Sequence, residues 1–201
     1  MRFVFASNNE AKTRELARLA AVLGQEIVSY RSILGQKLTF PVESETDQEA
    51  NARGKAAFIQ QFLPNEWILA DDTAFFLETF PDRFGVKAAR EFKALGLKGI
   101  QEENAYLLKI YESIPDEKRG AYLLSTMALL APDGRQFVAA QRGGVAIAHQ
   151  AQGGPDLGGL TDLLLAENGK TLSSMPLKEA VAYHDRSRTL QALIDQMTNG
   201  D

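Results

Sequence analysis

Three observations in the sequence predict an α/β fold built on a central mixed sheet. Residues 2–6, Arg-Phe-Val-Phe-Ala, read as a strand, and after a polar loop Leu16, Leu19, Ala20 and Leu23 recur at helical spacing up to Gly24. The run Trp67-Ile68-Leu69-Ala70 has the bulk and continuity of a buried strand, and it leads directly into Asp71-Asp72. Pro132-Asp133-Gly134-Arg135 separates two apolar arms, 121–131 and 136–142, which is hairpin chemistry and adds antiparallel pairing to the strand-loop-helix unit at the start.

The remaining elements fall between these anchors. Glu26-Ile27-Val28-Ser29-Tyr30 reads as a second strand, and a less regular stretch through Phe40-Pro41 leads to the acidic segment Glu43-Ser44-Glu45-Thr46-Asp47. A helix over residues 49–63 carries the stripe Ala52, Ala56, Ile59 and Phe62, sets Lys55 beside that stripe, and is closed by Pro64. Gly85-Val86-Lys87-Ala88-Ala89-Arg90 opens a helical region, and Ile100, Leu107, Leu108, Tyr111 and Ile114 mark another helix before Pro115. Near the end, Met175-Pro176 starts a helix, and a last helix follows with Leu190, Leu193, Ile194 and Met197 on one face and Arg186 and Arg188 at its beginning.

Composition narrows the chemistry. At 201 residues and 45% hydrophobic content the chain can bury a proper core, and one domain over 1–201 is expected. No apolar run approaches the roughly 20 residues that span a bilayer. The opening Met1-Arg2-Phe3-Val4-Phe5 turns polar at Ser7-Asn8-Asn9 too soon for a signal peptide, so a cytoplasmic location with no membrane partner is expected. With no cysteine, thiolate metal sites and cysteine nucleophiles are excluded, which leaves oxygen-ligand chemistry for a hard cation. A net charge of -4 argues against duplex nucleic acid, whereas a small anion needs only a local pocket. The two histidines, His149 and His184, have no nucleophile-elbow sequence behind them. Gly169-Lys170-Thr171 is not a P-loop, because Leu164 stands where that motif needs its first glycine.

Three stretches carry candidate site residues. Neighbouring strand residues point to opposite faces, so of Asp71 and Asp72, expected at a strand tip, one can face a ligand while the other braces backbone or a cation; a solvated turn is the alternative. Ser7-Asn8-Asn9-Glu10-Ala11-Lys12 puts small hydrogen-bonding side chains and one ammonium at a helix N-terminus, which favours an anion; equally, Asn9 can be a plain N-cap and Lys12 a solvated residue. Glu43 and Glu45 would complete an oxygen-ligand site if their loop lies beside the acid pair.

Taken together, these residues resemble the non-canonical purine nucleoside triphosphate pyrophosphatase (inosine triphosphatase) family over nearly the whole chain. Ser7-Asn8-Asn9-Glu10-Ala11-Lys12 is similar to the family's Thr/Ser-x-Asn-x-x-Lys phosphate loop, and Asn51-Ala52 with Lys55-Ala56 to its Asn-Ala-x-x-Lys-Ala helix. Ala70-Asp71-Asp72-Thr73 resembles Ala-Asp-Asp-Ser, Gly85-Val86-Lys87-Ala88-Ala89-Arg90 resembles Gly-Val-Tyr-Ser-Ala-Arg, and Gly169-Lys170-Thr171 resembles the Gly-Lys-Thr ahead of the terminal helices. The resemblance implies an elongated α/β fold with two lobes around a nucleotide cleft, a homodimer, and magnesium-dependent hydrolysis of a nucleoside triphosphate to monophosphate and pyrophosphate, with manganese as the alternative ion. Carried over, Asp72 is the catalytic acid; Ser7, Asn8, Asn9, Lys12, Lys55, Thr73, Lys170, Asp185 and Arg186 address substrate; and the metal falls to Asp71, Asp72 and either Glu43 or Glu45.

The chain departs from the family where the base is read. Leu157-Gly158-Gly159-Leu160 stands in place of Phe-Gly-Tyr-Asp, Ala180 at a phosphate lysine, and His184-Asp185-Arg186 in place of Ser-His-Arg. Asp185 exchanges a possible donor for an acceptor, which favours an amino-bearing base over the O6 carbonyl of hypoxanthine. The expected function is therefore a pyrophosphatase with a shifted base range, and the competing class is a catalytically weak nucleotide-binding or regulatory protein that kept the fold.

Overall fold

The computed structural model describes residues 1–199. Its elements follow in the order β1 (Arg2–Phe5), α1 (Glu10–Val22), β2 (Glu26–Ser29), α2 (Tyr30–Leu34), α3 (Gln48–Gln60), β3 (Ile68–Leu77), α4 (Ala88–Ala94), α5 (Ile100–Ile110), β4 (Ala121–Leu130), β5 (Gln136–Gly143), β6 (Ala146–Ile147), β7 (Leu164–Leu165), α6 (Leu177–Ala180) and α7 (Asp185–Asn199). Five strands form one sheet in the order β2-β1-β3-β4-β5, and β6 and β7 pair antiparallel in a second. β1 lies parallel to both β2 and β3, and β4 meets β5 through the predicted tight turn, where Asp133 accepts from the Arg135 N–H and Gly134 takes a φ of 90°. Strands joined so tightly must run antiparallel, so the sheet is mixed as expected. No helix among the described residues is long and apolar enough to cross a membrane.

The chain forms two compact units. One comprises Met1–Thr73, Ser125–Gln141 and the described residues from Arg186 onward; the other comprises Ala74–Leu124 and Arg142–Asp185.

In the first unit, side-chain alternation sorts the buried apolar strand residues onto two cores. Phe3, Phe5, Leu69, Met127 and Leu129 pack under Leu16 and Ala20 of α1 and Leu190 and Leu193 of α7. Val4, Ala6, Ile68, Ala70, Ala128 and Leu130 pack under Ala52, Ala56 and Ile59 of α3 and Tyr30 of α2. Strands covered on both faces need apolar residues at every position, which explains the unbroken runs in the sequence. Two boundaries differ from expectation. Tyr30 opens α2 instead of closing β2, because Ser29 caps that short helix by accepting from the Arg31 N–H. α3 ends at Gln60, so Phe62 falls beyond its stripe, 46% exposed and edge-on to Phe58.

The second unit holds α4, α5, α6 and the small sheet. A buried Arg119 organises it, donating to the carbonyls of Tyr111, Ile147 and Ala148 and so tying the end of α5 to β6.

The acid pair does not lie at the tip of its own strand. β3 continues for ten residues to Leu77, with Asp71 and Asp72 in its middle. The rim belongs to β1, whose pairing with β3 ends at Phe5 opposite Leu69. Just beyond that register the chain of β1 leaves as the Ser7 loop, so both carboxylates sit at the carboxyl end of β1. In the order β2-β1-β3 the chain steps from β1 to β2 on one side and then crosses back to β3 on the other, and such a reversal of strand order is where open α/β sheets hold ligands.

Candidate active site

The loop after β1 is built by its own side chains. Asn9 caps α1 by accepting from the Lys12 N–H at 3.1 Å, and the Ser7 hydroxyl oxygen accepts from the Asn9 N–H at 3.1 Å. Asn8 is tied down on both sides: its amide donates to the Leu38 carbonyl at 2.8 Å, and its oxygen accepts from the Tyr30 hydroxyl at 2.5 Å. Of the three small polar residues expected to address substrate, Asn8 thus spends its side chain holding the loop, and Asn9 fills the capping role weighed against it. Lys12 projects from the first turn of α1 toward β3, with Nζ 3.4 Å from Asp71 Oδ2.

Alternation along β3 splits the acid pair. Asp71 continues the face of Leu69, toward α1 and α7; Asp72 continues the face of Ala70, toward α3. Asp71 is wholly enclosed. Ser125 donates to its Oδ1 at 2.8 Å, the Thr73 hydroxyl lies 2.9 and 3.0 Å from its two oxygens, and Arg186 Nε reaches Oδ2 at 3.1 Å. Burial opposes ionisation of this carboxyl, but Lys12, Arg186 and Lys55 with the Ser125 hydroxyl outweigh it and hold the group well below the usual carboxylate range. Arg186 also donates to Thr73 at 3.1 Å and pairs with Glu15.

On the α3 face, Asp72 accepts from Asn51 at 3.0 Å and lies 3.3 Å from Lys55 Nζ. The same ammonium lies 3.0 Å from Glu43 Oε1 and donates to the Asp71 carbonyl at 2.8 Å. Burial works against its charge, but Asp72, Glu43 and Asp71 together raise its pKa above the ordinary lysine value. Asn51 and Lys55 are four residues apart and therefore share a helix face, so one turn of α3 delivers both to Asp72. Asn51 further clamps the acidic segment through both backbone groups of Ser44, at 2.7 and 2.9 Å, while Gln48 donates to the Asp72 carbonyl at 3.0 Å. These bonds bring Glu43 to the acid pair. A cavity of about 180 Å³ bounded by Glu43, Asn51 and Lys55 opens beside them.

Ser7, Lys12, Glu43, Lys55, Asp71, Asp72, Thr73 and Arg186 all belong to the first unit. Glu45 lies exposed in the same acidic segment. Lys170 and Asp185 belong to the second unit, where Lys170 pairs with Glu179 at 2.8 Å and Asp185 is fully buried with Oδ1 2.9 Å from His184 Nδ1. Four residues that shape the site had no role assigned from sequence: Gln48, Asn51, Ser125 and Glu15. Only Asn51 carried a signal, its place with Lys55 in the stretch that resembles Asn-Ala-x-x-Lys-Ala.

A model of the Ham1 family matches residues 3–196. The chain belongs to the Ham1 family. The dihydroneopterin triphosphate diphosphatase of Limosilactobacillus reuteri is 32% identical over 197 residues, covering 97% of each chain. A dITP/XTP pyrophosphatase of Thermus thermophilus is 29% identical over 204 residues, covering 100% of this chain and 93% of that one. The Ham1 protein of Staphylococcus aureus superposes with a TM-score of 0.72 over 100% of both chains at 17% identity, and shares the fold. The family expected from the motifs is the one found, and the α/β fold expected from it is the Ham1 fold.

The family's chemistry raises the matter of a divalent cation. No cluster of three or more carboxylates or histidines that could hold one occurs among the described residues. Magnesium rarely uses such a cage; it keeps several waters and takes one or two carboxylates plus substrate phosphates. Glu43 and Asp72 converge on one point, now taken by the Lys55 ammonium, and that pair of oxygen ligands suits such binding.

Proposed function

We propose that this Ham1 protein is a nucleoside-triphosphate pyrophosphohydrolase, releasing pyrophosphate and leaving the monophosphate. The observation that carries the reading is the convergence of Glu43 and Asp72 on Lys55, beside a second cation, Lys12, aimed at the same strand. Hydrolysis of a phosphoanhydride requires a carboxylate to orient water, cations on the leaving phosphates and spread of negative charge. Asp72 is the carboxylate; its second oxygen is held by Asn51, which fixes the direction of the free lone pairs. Ser7 and Lys12 hold the leaving phosphates, with the remaining Asn9 amide. Lys55, held by Glu43 and Asp72, is the further cation available to the phosphates. Magnesium, or manganese, held by these two carboxylates would neutralise charge on the phosphate oxygens when bound. Asp71 anchors Lys12, Thr73 and Arg186 and keeps their donors aimed.

The base half supports a shifted substrate range. Leu157 and Gly159 offer no aromatic platform, and Leu157 is buried. A relative named for dihydroneopterin triphosphate favours the same direction, since that compound joins a triphosphate to an amino-bearing pterin ring. The test is a panel of inosine, xanthosine, adenosine, guanosine, cytidine and dihydroneopterin triphosphates with magnesium, assaying pyrophosphate separately from orthophosphate. Pyrophosphate from at least one is expected. Orthophosphate alone would make the protein a phosphatase, and binding with no product would make it a nucleotide-binding protein.

A further inference from the structure

A second cavity is larger than the one bounded by Glu43, Asn51 and Lys55. It measures about 590 Å³, within the ~300–1,000 Å³ typical of ligand pockets, and is formed where β1 and β2 end. Those strands are parallel neighbours, so their carboxyl ends open on the same side of the sheet. Ser7 lines the cavity after β1, and Ser29 lines it at the end of β2.

Three features of the lining specify an anion. First, charge: Arg14, Arg31 and Lys37 face one carboxylate, Glu10, a local positive excess in a chain whose net charge is -4. Second, availability: Glu10 is shared, 2.7 Å from Arg31 and 3.8 Å from Arg14, and Lys37 has no ion-pair partner among the described residues. Exposed pairs of this kind contribute little, so a multivalent anion displaces them readily. Third, donors: the Ser7 and Ser29 oxygens each accept from the backbone N–H two residues on, at 3.1 and 3.2 Å. An oxygen held as acceptor leaves its hydroxyl hydrogen to donate, so two hydroxyl groups in the lining keep a donor for a ligand beside Arg14 and Arg31. Guanidinium forks bind phosphate oxygens in pairs.

We propose that this cavity is an oligophosphate subsite that takes inorganic pyrophosphate. It meets the candidate phosphate loop at Ser7. The choice of pyrophosphate rests on the pyrophosphohydrolase reading, because that reaction releases pyrophosphate next to Ser7; the subsite then receives the leaving group and feeds product inhibition. None of Glu10, Arg14, Arg31 or Lys37 is assigned to the reacting centre.

Titration calorimetry of the full chain with inorganic pyrophosphate, in the absence of nucleotide, tests the site without turnover. The variants are Arg14→Gln combined with Lys37→Gln, Lys37→Gln alone, and Lys12→Ala. Lys37→Gln breaks no ion pair and keeps the experiment readable should the double variant lose its fold. Pyrophosphate binding that survives Lys12→Ala but weakens at least tenfold in the double variant, and severalfold in Lys37→Gln, is expected. In turnover assays the double variant should keep kcat and lose product inhibition. Binding in the variants that lack Arg14 and Lys37 equal to that of the native chain overturns the proposal, as does complete loss of binding in Lys12→Ala. Failure of every triphosphate to react would sink the pyrophosphohydrolase reading and leave the calorimetric result standing.

Discussion

Adjacent residues on one strand should respond to the same substitution in opposite ways. Asp71→Asn keeps the shape of the side chain and removes a charge that is wholly buried between Lys12 and Arg186. Removing one member of a buried ion pair destabilises by about 3–5 kcal/mol, because the partner charge stays enclosed. Arg186, with 8% of its side chain exposed, stays enclosed but keeps Glu15 as a partner, and Lys12 at 27% can turn to water. The lower end, about 3 kcal/mol, is therefore expected; at ~2–4 °C per kcal/mol for a chain of this size, that lowers Tm by about 6–12 °C. The pH dependence follows from the depressed pKa of Asp71. A carboxyl whose folded pKa lies below its unfolded value of about 3.9 contributes stability that is complete above that value and lost as pH falls through the folded pKa. The difference in stability between native and variant should accordingly stay flat from about pH 8 to 5 and shrink below about pH 4. Urea denaturation followed by the fluorescence of Trp67 reports on this unit, since Trp67 is the single tryptophan and stacks on Phe137. Asp72→Asn leaves Lys55 with Glu43 and the Asp71 carbonyl, so its stability should fall by about 1 kcal/mol or less. Its turnover should drop about a hundredfold or more, the usual contribution of a positioned general base. An Asp71→Asn protein melting within about 2 °C of the native one, or an Asp72→Asn protein retaining more than about a tenth of turnover, would refute this division of labour.

Further outcomes follow from the same geometry. Lys12→Ala should weaken binding of a non-hydrolysable triphosphate about tenfold while leaving monophosphate binding nearly unchanged; equal loss for both would move Lys12 away from the leaving phosphates. Asp47→Asn should be mild in both stability and activity, because Asp47 caps α3 through the Ala50 N–H and asparagine caps equally well. Tyr30→Phe removes the hydroxyl that accepts from the Leu38 N–H and donates to Asn8, so a loss of about 1–2 kcal/mol is expected in urea denaturation, and an unchanged midpoint would mean water replaces it. Across the triphosphate panel, kcat/KM should show no strong preference for inosine triphosphate; a hundredfold preference, about 2.7 kcal/mol, would show that other residues rebuilt the family's pocket.

The part of the candidate site proposed to address phosphates was legible in the sequence as an arrangement of side chains, because its parts are local. A capped helix N-terminus, a lysine one turn in, an Asn and a Lys four apart on α3, and two carboxylates at consecutive strand positions all declare their relative directions through backbone periods of 3.6 and 2. The opposite facing of Asp71 and Asp72 follows from that period alone. Which face carries the helix that supplies Asn51 and Lys55 does not, since it depends on the connection from β2 through α3 to β3. The choice between Glu43 and Glu45 was illegible for a similar reason: neither lies in a periodic element, and Glu43 reaches Lys55 only because Asn51 clamps the Ser44 backbone. Ser125 and Glu15 were invisible because each meets the site across a long sequence separation.

The position of the rim was misjudged from the same strength of signal. Asp-Asp-Thr after an apolar run looks like a strand ending, but Ala74 to Leu77 are apolar too, and the strand proceeds through the acids. What ends is the neighbour: β1 is four residues long and turns into the Ser7 loop, so its pairing with β3 goes no further than Leu69. A carboxylate in the middle of a strand is held more rigidly than one at its tip, because backbone on both sides is fixed and alternation dictates its face. That rigidity matters for Asp72, whose direction must be set before substrate arrives if it is to orient water without reorganisation. It matters equally for Asp71, whose enclosed charge can hold Lys12 and Arg186 in place only while the strand beneath it cannot move. The break in sheet pairing at Leu69 therefore opens space above β1 while the two acids stay on a continuous strand, which is the arrangement the proposed hydrolysis needs.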